Sequence, residues 1–279
     1  MYLLTVVSLV WAFSFGLIGN QLGGLSPAWL GWIRLALSAL VFLPFVRRLP
    51  WKTALTLFAT GAVQFGLMYL AYLSSFRYLK SHEVALFTVV TPLFVAGLND
   101  LFGRRFQPWN LLAACLAVAG AGILKWSQIE TPAPLYGILL VQASNLCFAA
   151  GQLAYRAVLR RLPAPLPDHR VFFWLHLGGF AVLTPLALPL ALSAAPPDPT
   201  PSQWAILAYL GVVASGLCFF LWNRGARLVS AGQLAVMNNL KIPLAVAVSL
   251  FVFREPTNFW TLLVGALLIG AALLPVRKP

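Results

Sequence analysis

Long apolar runs separated by short polar gaps fill this chain from end to end. Each bilayer crossing needs roughly 20 apolar residues. Breaking the chain at Pro, Gly and clusters of charge gives ten segments, beginning near residues 2, 27, 53, 81, 107, 134, 171, 203, 230 and 257. Runs of this length, rich in Ala and Leu, predict transmembrane helices, because a helix satisfies its own backbone polar groups in lipid. The gaps are short, and only the stretches around 162–170 and 194–202 carry enough proline to read as extended loops. The expected fold is all-α and polytopic, with ten transmembrane helices in the lipid bilayer.

Composition agrees with that pattern. Of 279 residues, 61% are hydrophobic and 9% charged, and the mean hydropathy is +0.86, far from the balance of a soluble domain. A net charge of +13 would suggest nucleic acid in a soluble chain. Here the basic residues sit in the gaps between apolar runs, which reads as membrane topology and argues against a nucleic-acid partner. With the N-terminus inside, the inner connections hold Arg47, Arg48, Lys52, Arg104, Arg105, Arg156, Arg160, Arg161, Arg170, Arg224, Arg227, Arg277 and Lys278. The outer ones hold only Arg77, Lys80, Lys125 and Arg254, so the positive-inside rule predicts both termini in the cytoplasm. The first apolar run lacks a basic leader and a small-residue cleavage pattern, and is expected to remain as the first span.

The chain also repeats itself. Phe76-Arg77-Tyr78-Leu79 matches Ala226-Arg227-Leu228-Val229, Ala85 matches Ala235, and Gly120-Ala121 matches Gly270-Ala271, all at a spacing of 150. Trp32-Ile33-Arg34-Leu35 matches Trp174-Leu175-His176-Leu177 at a spacing of 142. Two halves, 1–126 and 134–276, each with five spans, predict a second copy inserted upside down. Such inverted repeats place a substrate site between the halves and suit alternating access.

Chemistry-bearing residues are few. Lys241 lies roughly 16 Å into its span at about 1.5 Å per residue, in a stretch, 232–252, with no other charge. An intramembrane cation at that depth points to a cavity and an anionic ligand. Asn238, Asn239 and Pro243 lie beside it; the asparagines suit either ligand contact or interhelical hydrogen bonds. Arg34 lies near enough to the outer end of the second span to act as a snorkelling anchor, and is the alternative clamp for a carboxylate. His176 reads as an interfacial or packed histidine. Glu83 suits a helix N-terminus and is also the candidate for proton coupling. No metal-ligand spacing, nucleophile elbow or phosphate loop is present, so no enzyme, cofactor or metal is expected. Cys115, Cys147 and Cys218 are dispersed in apolar runs and read as packing residues.

Trp11-Ala12-Phe13-Ser14-Phe15, Arg34 and Glu255-Pro256 before a Gly/Ala/Leu-rich last span resemble the drug/metabolite transporter superfamily, built from EamA domains. Further blocks are similar to the YigM-type biotin transporters of its carboxylate/amino acid/amine branch. They are Val41-Phe42-Leu43-Pro44-Phe45, Gly61-Ala62-Val63-Gln64, Glu83 with Leu86-Phe87-Thr88-Val89-Val90-Thr91-Pro92-Leu93, Gln142-Ala143-Ser144-Asn145, Gly211-Val212-Val213-Ala214-Ser215-Gly216 and Met237-Asn238-Asn239. The chain departs from many superfamily members at Gly103-Arg104-Arg105, where they carry an acidic residue after the glycine.

The resemblance implies secondary active uptake of biotin through the bacterial inner membrane. Biotin pairs a carboxylate on an aliphatic tail with a ureido ring. Lys241 would meet the carboxylate, while Asn145, Asn238, Asn239, Gln64 and Ser144 would serve the ureido edge. Trp11, Phe15, Tyr69, Trp174 and Trp222 are the candidate walls. Two alternatives stay open: an exporter of amino acids or related metabolites, and a passive biotin-binding subunit of a separate engine. The small-residue helix faces suit packing within one chain or between two, which leaves the oligomeric state open.

Overall fold

The computed structural model describes residues 1–22, 24–104, 106–126, 134–162, 166–244, 247 and 259–276. Arg105, Arg254, Glu255-Pro256, Arg277 and Lys278 lie outside the described residues, as does the side chain of Phe15. Helices and turns make up the described structure, with no strand among the described residues.

The helical elements in chain order are α1 (Tyr2–Gln21), α2 (Pro27–Phe42), α3 (Trp51–Ser75), α4 (81–103), α5 (Pro108–Trp126), α6 (Leu135–Arg160), α7 (Asp168–Ala191), α8 (Pro201–Arg227), α9 (Ala231–Met237) and α10 (Phe259–Ala271). Among the described residues, six helices are long and apolar enough to cross a membrane; they correspond to α2, α3, α4, α6, α7 and α8. The apolar stretches in α1, α5 and α10 are shorter.

Local chemistry explains where several of these begin and bend. Pro201 starts α8 behind Thr200, whose hydroxyl accepts from the Gln203 N–H at 3.3 Å while the Gln203 side chain accepts from the Thr200 N–H at 3.0 Å. This reciprocal cap satisfies two orphan donors. Ser230 and Gln233 form the same cap on α9. At α4 the reach-back comes from Glu83, whose carboxylate accepts from the Lys80 N–H at 2.7 Å.

The same irregularities recur far apart in the chain. Wide, π-type turns occupy Ala62–Leu67 in α3 and Tyr209–Leu217 in α8. A tight break at Thr88–Val90 interrupts α4, and turn residues 238–240 end α9 before helix resumes at 241–244. The two tight breaks are 150 residues apart, as are Glu83 and Gln233, the residues that reach back to cap α4 and α9. Asn239 Nδ2 donates to the Val89 carbonyl at 2.8 Å, so two residues 150 apart meet directly.

Packing between the helices uses small residues. A methyl group on Gly61 would lie 1.9 Å from the Leu175 carbonyl oxygen, and one on Gly178 would lie 1.9 Å from that of Phe58. Backbones of α3 and α7 therefore touch, the close crossing that small residues permit in membranes. The main apolar core draws Leu4, Leu35, Phe65, Phe172 and Trp222 from α1, α2, α3, α7 and α8. A second cluster joins Ala113, Ala117 and Ala121 of α5 to Val236 of α9 and Ile269 of α10.

Candidate functional site

Between these helices lies a cavity open on one side, with about 610 Å3 of space not filled by protein atoms when the solvent at its mouth is included. Trp11, Ser14 and Ile18 of α1, Arg34 of α2, and Met68, Tyr69 and Tyr72 of α3 line it. Thr88 and Thr91 of α4, Ser144, Asn145 and Phe148 of α6, Phe219 of α8 and Lys241 complete the wall.

Lys241 reaches the cavity because the helix breaks just before it. Asn239 N donates to the Val236 carbonyl and Leu240 N to that of Met237, three-residue bonds that tighten the chain and restart the helix at Lys241. The ammonium lies 5.9 Å from the centre of the Trp11 ring, near the outer reach of a cation–π contact. Trp11 is itself fixed, its indole N–H donating to the Ala214 carbonyl at 2.9 Å.

Arg34 is only 4% exposed, so it does not snorkel. The wide turn in α8 presents Ser215 to it: Nε donates to Ser215 Oγ at 3.2 Å, and Nη2 donates to the Tyr69 hydroxyl at 2.6 Å. Protein hydroxyls in the interior replace the water that a surface arginine would have sought.

Asn145 lines the cavity while stitching α6 to the break in α4. Its amide donates to the Phe87 carbonyl at 2.9 Å and its oxygen accepts from the Thr91 hydroxyl at 3.1 Å. The tight turn at Thr88–Val90 interrupts the regular helical hydrogen bonding just beyond Phe87, and the side-chain amide covers that carbonyl.

Lys241, Asn145, Ser144, Trp11, Tyr69 and Arg34 therefore share one cavity, while other expected site residues lie outside its lining. Asn238 bonds back to the Leu234 carbonyl at 2.8 Å, and Asn239 bridges to Val89 and Ala117 at 2.8 and 3.1 Å. Gln64 donates to Asn223 at 3.0 Å, and Trp222 donates to Gln152 at 2.9 Å while its ring backs Trp11 at 5.0 Å. Trp174 donates to the Arg47 carbonyl at 3.4 Å. Glu83, 6% exposed, caps α4. His176 is fully buried, its ring stacked on Phe65 and Phe42.

Tyr72, Thr88, Thr91, Met68, Phe148 and Phe219 line the cavity without having been singled out from sequence. The repeat carried a signal for two of them. Thr88 and Thr91 stand 150 residues before Asn238 and Lys241.

At the end of the bundle holding most of the basic residues, polar groups tie helices together. Arg227 Nη1 lies 2.8 Å from both carboxylate oxygens of Asp168, and Oδ1 also accepts from the Tyr155 hydroxyl. Arg156 donates to the Val229 carbonyl at 3.0 Å. Along α1, α2 and α3 the cavity lining runs from mid-helix, at Trp11 and Arg34, into the half away from these contacts, at Ser14, Ile18, Met68, Tyr69 and Tyr72. Two cationic side chains, several hydroxyls, one amide and aromatic walls, with no Asp or Glu among its described lining residues, suit a small organic anion bearing further hydrogen-bonding groups.

Comparison with known proteins places this geometry among transporters. The chain matches the EamA-like transporter family over residues 1–126 and again over 135–277. It is 39% identical over 282 residues to the biotin transporter of Escherichia coli (strain K12), covering 100% of this chain and 93% of that one. It is also 39% identical over 279 residues to the probable biotin transporter of Pseudomonas aeruginosa, covering 97% and 95%. A solved crystal structure superposes with a TM-score of 0.78 at 18% identity, over 98% of this chain and 95% of that one, which establishes likeness of fold. With membrane-length helices, a cavity among them and relatives that are named transporters rather than enzymes, the chain is a multi-pass membrane protein that belongs to the EamA-like transporter family.

Proposed function

We propose that this protein imports biotin across the bacterial inner membrane by alternating access. The observation that carries the reading is the cavity's charge pattern: Lys241 and Arg34 line it, and no carboxylate does among the described residues. A monocarboxylate finds its counter-charge there, whereas the ammonium of an amino acid finds none, which disfavours an amino-acid exporter. Full-length similarity to proteins named biotin transporters supports the cargo.

Lys241 takes the carboxylate as a charge-assisted partner, with Ser144 and Asn145 available to the polar ring and Trp11, Tyr69, Phe148 and Phe219 as walls. Asn238, Asn239 and Gln64 act behind the site, holding the helix breaks and helix contacts that shape it.

The chain reads as ten spans in two inverted five-helix halves. The tight breaks and the reach-back caps repeated at a spacing of 150 support that reading, as does the Val89–Asn239 contact between equivalent positions. With the basic-rich end in the cytoplasm, the cavity faces outward. The Asp168–Arg227–Tyr155 contacts and the Gln64–Asn223 and Gln152–Trp222 bonds then close the inner side. Internal halves that rock against each other supply access to both sides, so a passive subunit is the weaker reading. Glu83, engaged as a helix cap, remains the acidic group for coupling to protons.

Equilibrium binding of labelled biotin to the purified protein in detergent tests the cargo. Saturable binding displaced by unlabelled biotin and desthiobiotin, with no displacement by amino acids, is expected. Displacement by amino acids, with no biotin binding, would replace this reading with the metabolite exporter.

A further inference from the structure

Arg34 lines the cavity from α2. Its hydrogen-bond network can be followed proton by proton. Ser215 Oγ lies 2.6 Å from the Leu210 carbonyl, so its single hydroxyl proton is spent there. The 2.7 Å contact between Tyr69 and Ser215 therefore has Tyr69 as donor. Arg34 Nε donates to Ser215 and Nη2 donates to Tyr69, which fills one edge of the guanidinium with two hydroxyl oxygens. Every hydroxyl proton in the network is committed, and Arg34 Nη1 is left with no protein partner although the residue is 4% exposed. Arg34 and Tyr69 both line the cavity.

A buried charged donor without a partner is costly unless something else accepts from it. We infer that the free Nη1 of Arg34 receives the carbonyl oxygen of the substrate's ureido ring while Lys241 holds the carboxylate. This assignment rests on the biotin reading of the same cavity. The division follows from stiffness. Arg34 is planar, always charged and held by Ser215 and Tyr69, so it presents a donor of fixed direction, matched to a carbonyl on a rigid fused ring. Lys241 carries its charge on a flexible stem, matched to a carboxylate on a flexible tail. One edge of the guanidinium that would grip a carboxylate is already occupied by the hydroxyl pair. Met68, Tyr69 and Tyr72 line the cavity from α3, an apolar and aromatic bed for a sulfur-containing bicycle. Tyr69 and Ser215 are positioning residues that hold the guanidinium.

The test uses proteoliposomes holding the full chain and two competitors of labelled biotin uptake. One is biotin amide, which lacks the negative charge; the other is the thione analogue, in which sulfur, a weaker acceptor, replaces the ureido oxygen. Wild-type protein should prefer biotin over each by on the order of tenfold. In Arg34→Lys the preference over the thione should collapse toward one, and the preference over the amide should stay. Collapse of the amide preference instead would put the carboxylate on Arg34 and overturn the assignment. So would two unchanged preferences in a variant that still takes up biotin. Should Arg34→Lys not insert and fold, Tyr69→Phe is the second variant. It releases Nη2, and a smaller fall in the thione preference is expected, while an unchanged preference overturns the assignment. Failure of the cargo reading is separate, because wild-type protein would then take up no biotin at all.

Discussion

Removing the Lys241 ammonium is the perturbation whose size the structure best defines. Lys241 lines the cavity at the point where helix restarts after the 238–240 turn. The turn is held by backbone bonds and by the Asn238 and Asn239 amides. Lys241→Ala should therefore leave the fold in place and delete the partner of the carboxylate. A hydrogen bond to a charged group contributes about 1.5–3 kcal/mol, and about 1.4 kcal/mol is tenfold in affinity. The apparent affinity for biotin should fall by roughly 10- to 150-fold on that basis. The assay is a concentration series of biotin uptake in proteoliposomes, with thermal unfolding in detergent confirming a folded variant. Biotin amide supplies the second half of the cycle: it should compete poorly with biotin in the wild-type protein and nearly as well as biotin in Lys241→Ala. A folded variant with unchanged biotin affinity would refute the assignment of the carboxylate to Lys241.

Three further outcomes follow from the packing and the polar contacts. Gly178→Ala places a methyl group 1.9 Å from the Phe58 carbonyl oxygen, an overpacking that costs about 1–3 kcal/mol or more, so the melting temperature should drop. Gly97→Ala, with nothing within 4 Å, should be neutral. Asn239→Ala removes the donor to Val89 and Ala117 and should cost about 1–3 kcal/mol of stability, read by thermal unfolding, with less effect on biotin affinity than Lys241→Ala. Asp168→Asn weakens the contacts with Arg227 and Tyr155. It should increase labelling, from the cytoplasmic side, of a cysteine placed at Gln152, and unchanged labelling would remove these contacts from the inner closure.

The all-helical, multi-pass character was legible because it depends on the length of the apolar runs, which a sequence displays directly. That Lys241 lines a cavity was legible, since a lone charge in a long apolar stretch has few structural alternatives. From sequence Arg34 suits either a snorkelling anchor or a carboxylate clamp, because its buried environment is built by Ser215 and Tyr69, 181 and 35 residues away. Position within a span says nothing about such partners. Asn238 and Asn239 sit beside Lys241 in sequence, yet helical geometry points neighbouring side chains in different directions, and their amides cover carbonyls of α9, α4 and α5. Thr91 shows the opposite case: its equivalence to Lys241 at a spacing of 150 marked it, but a threonine in an apolar run carries no signal of its own.

Uptake of radiolabelled biotin into proteoliposomes, with and without an imposed proton gradient and against excess unlabelled amino acids, tests the central claim most directly. Saturable uptake, accelerated by the gradient and blocked only by unlabelled biotin and its close analogues, is the predicted result. Absence of biotin uptake, with amino acids moving instead, would contradict it.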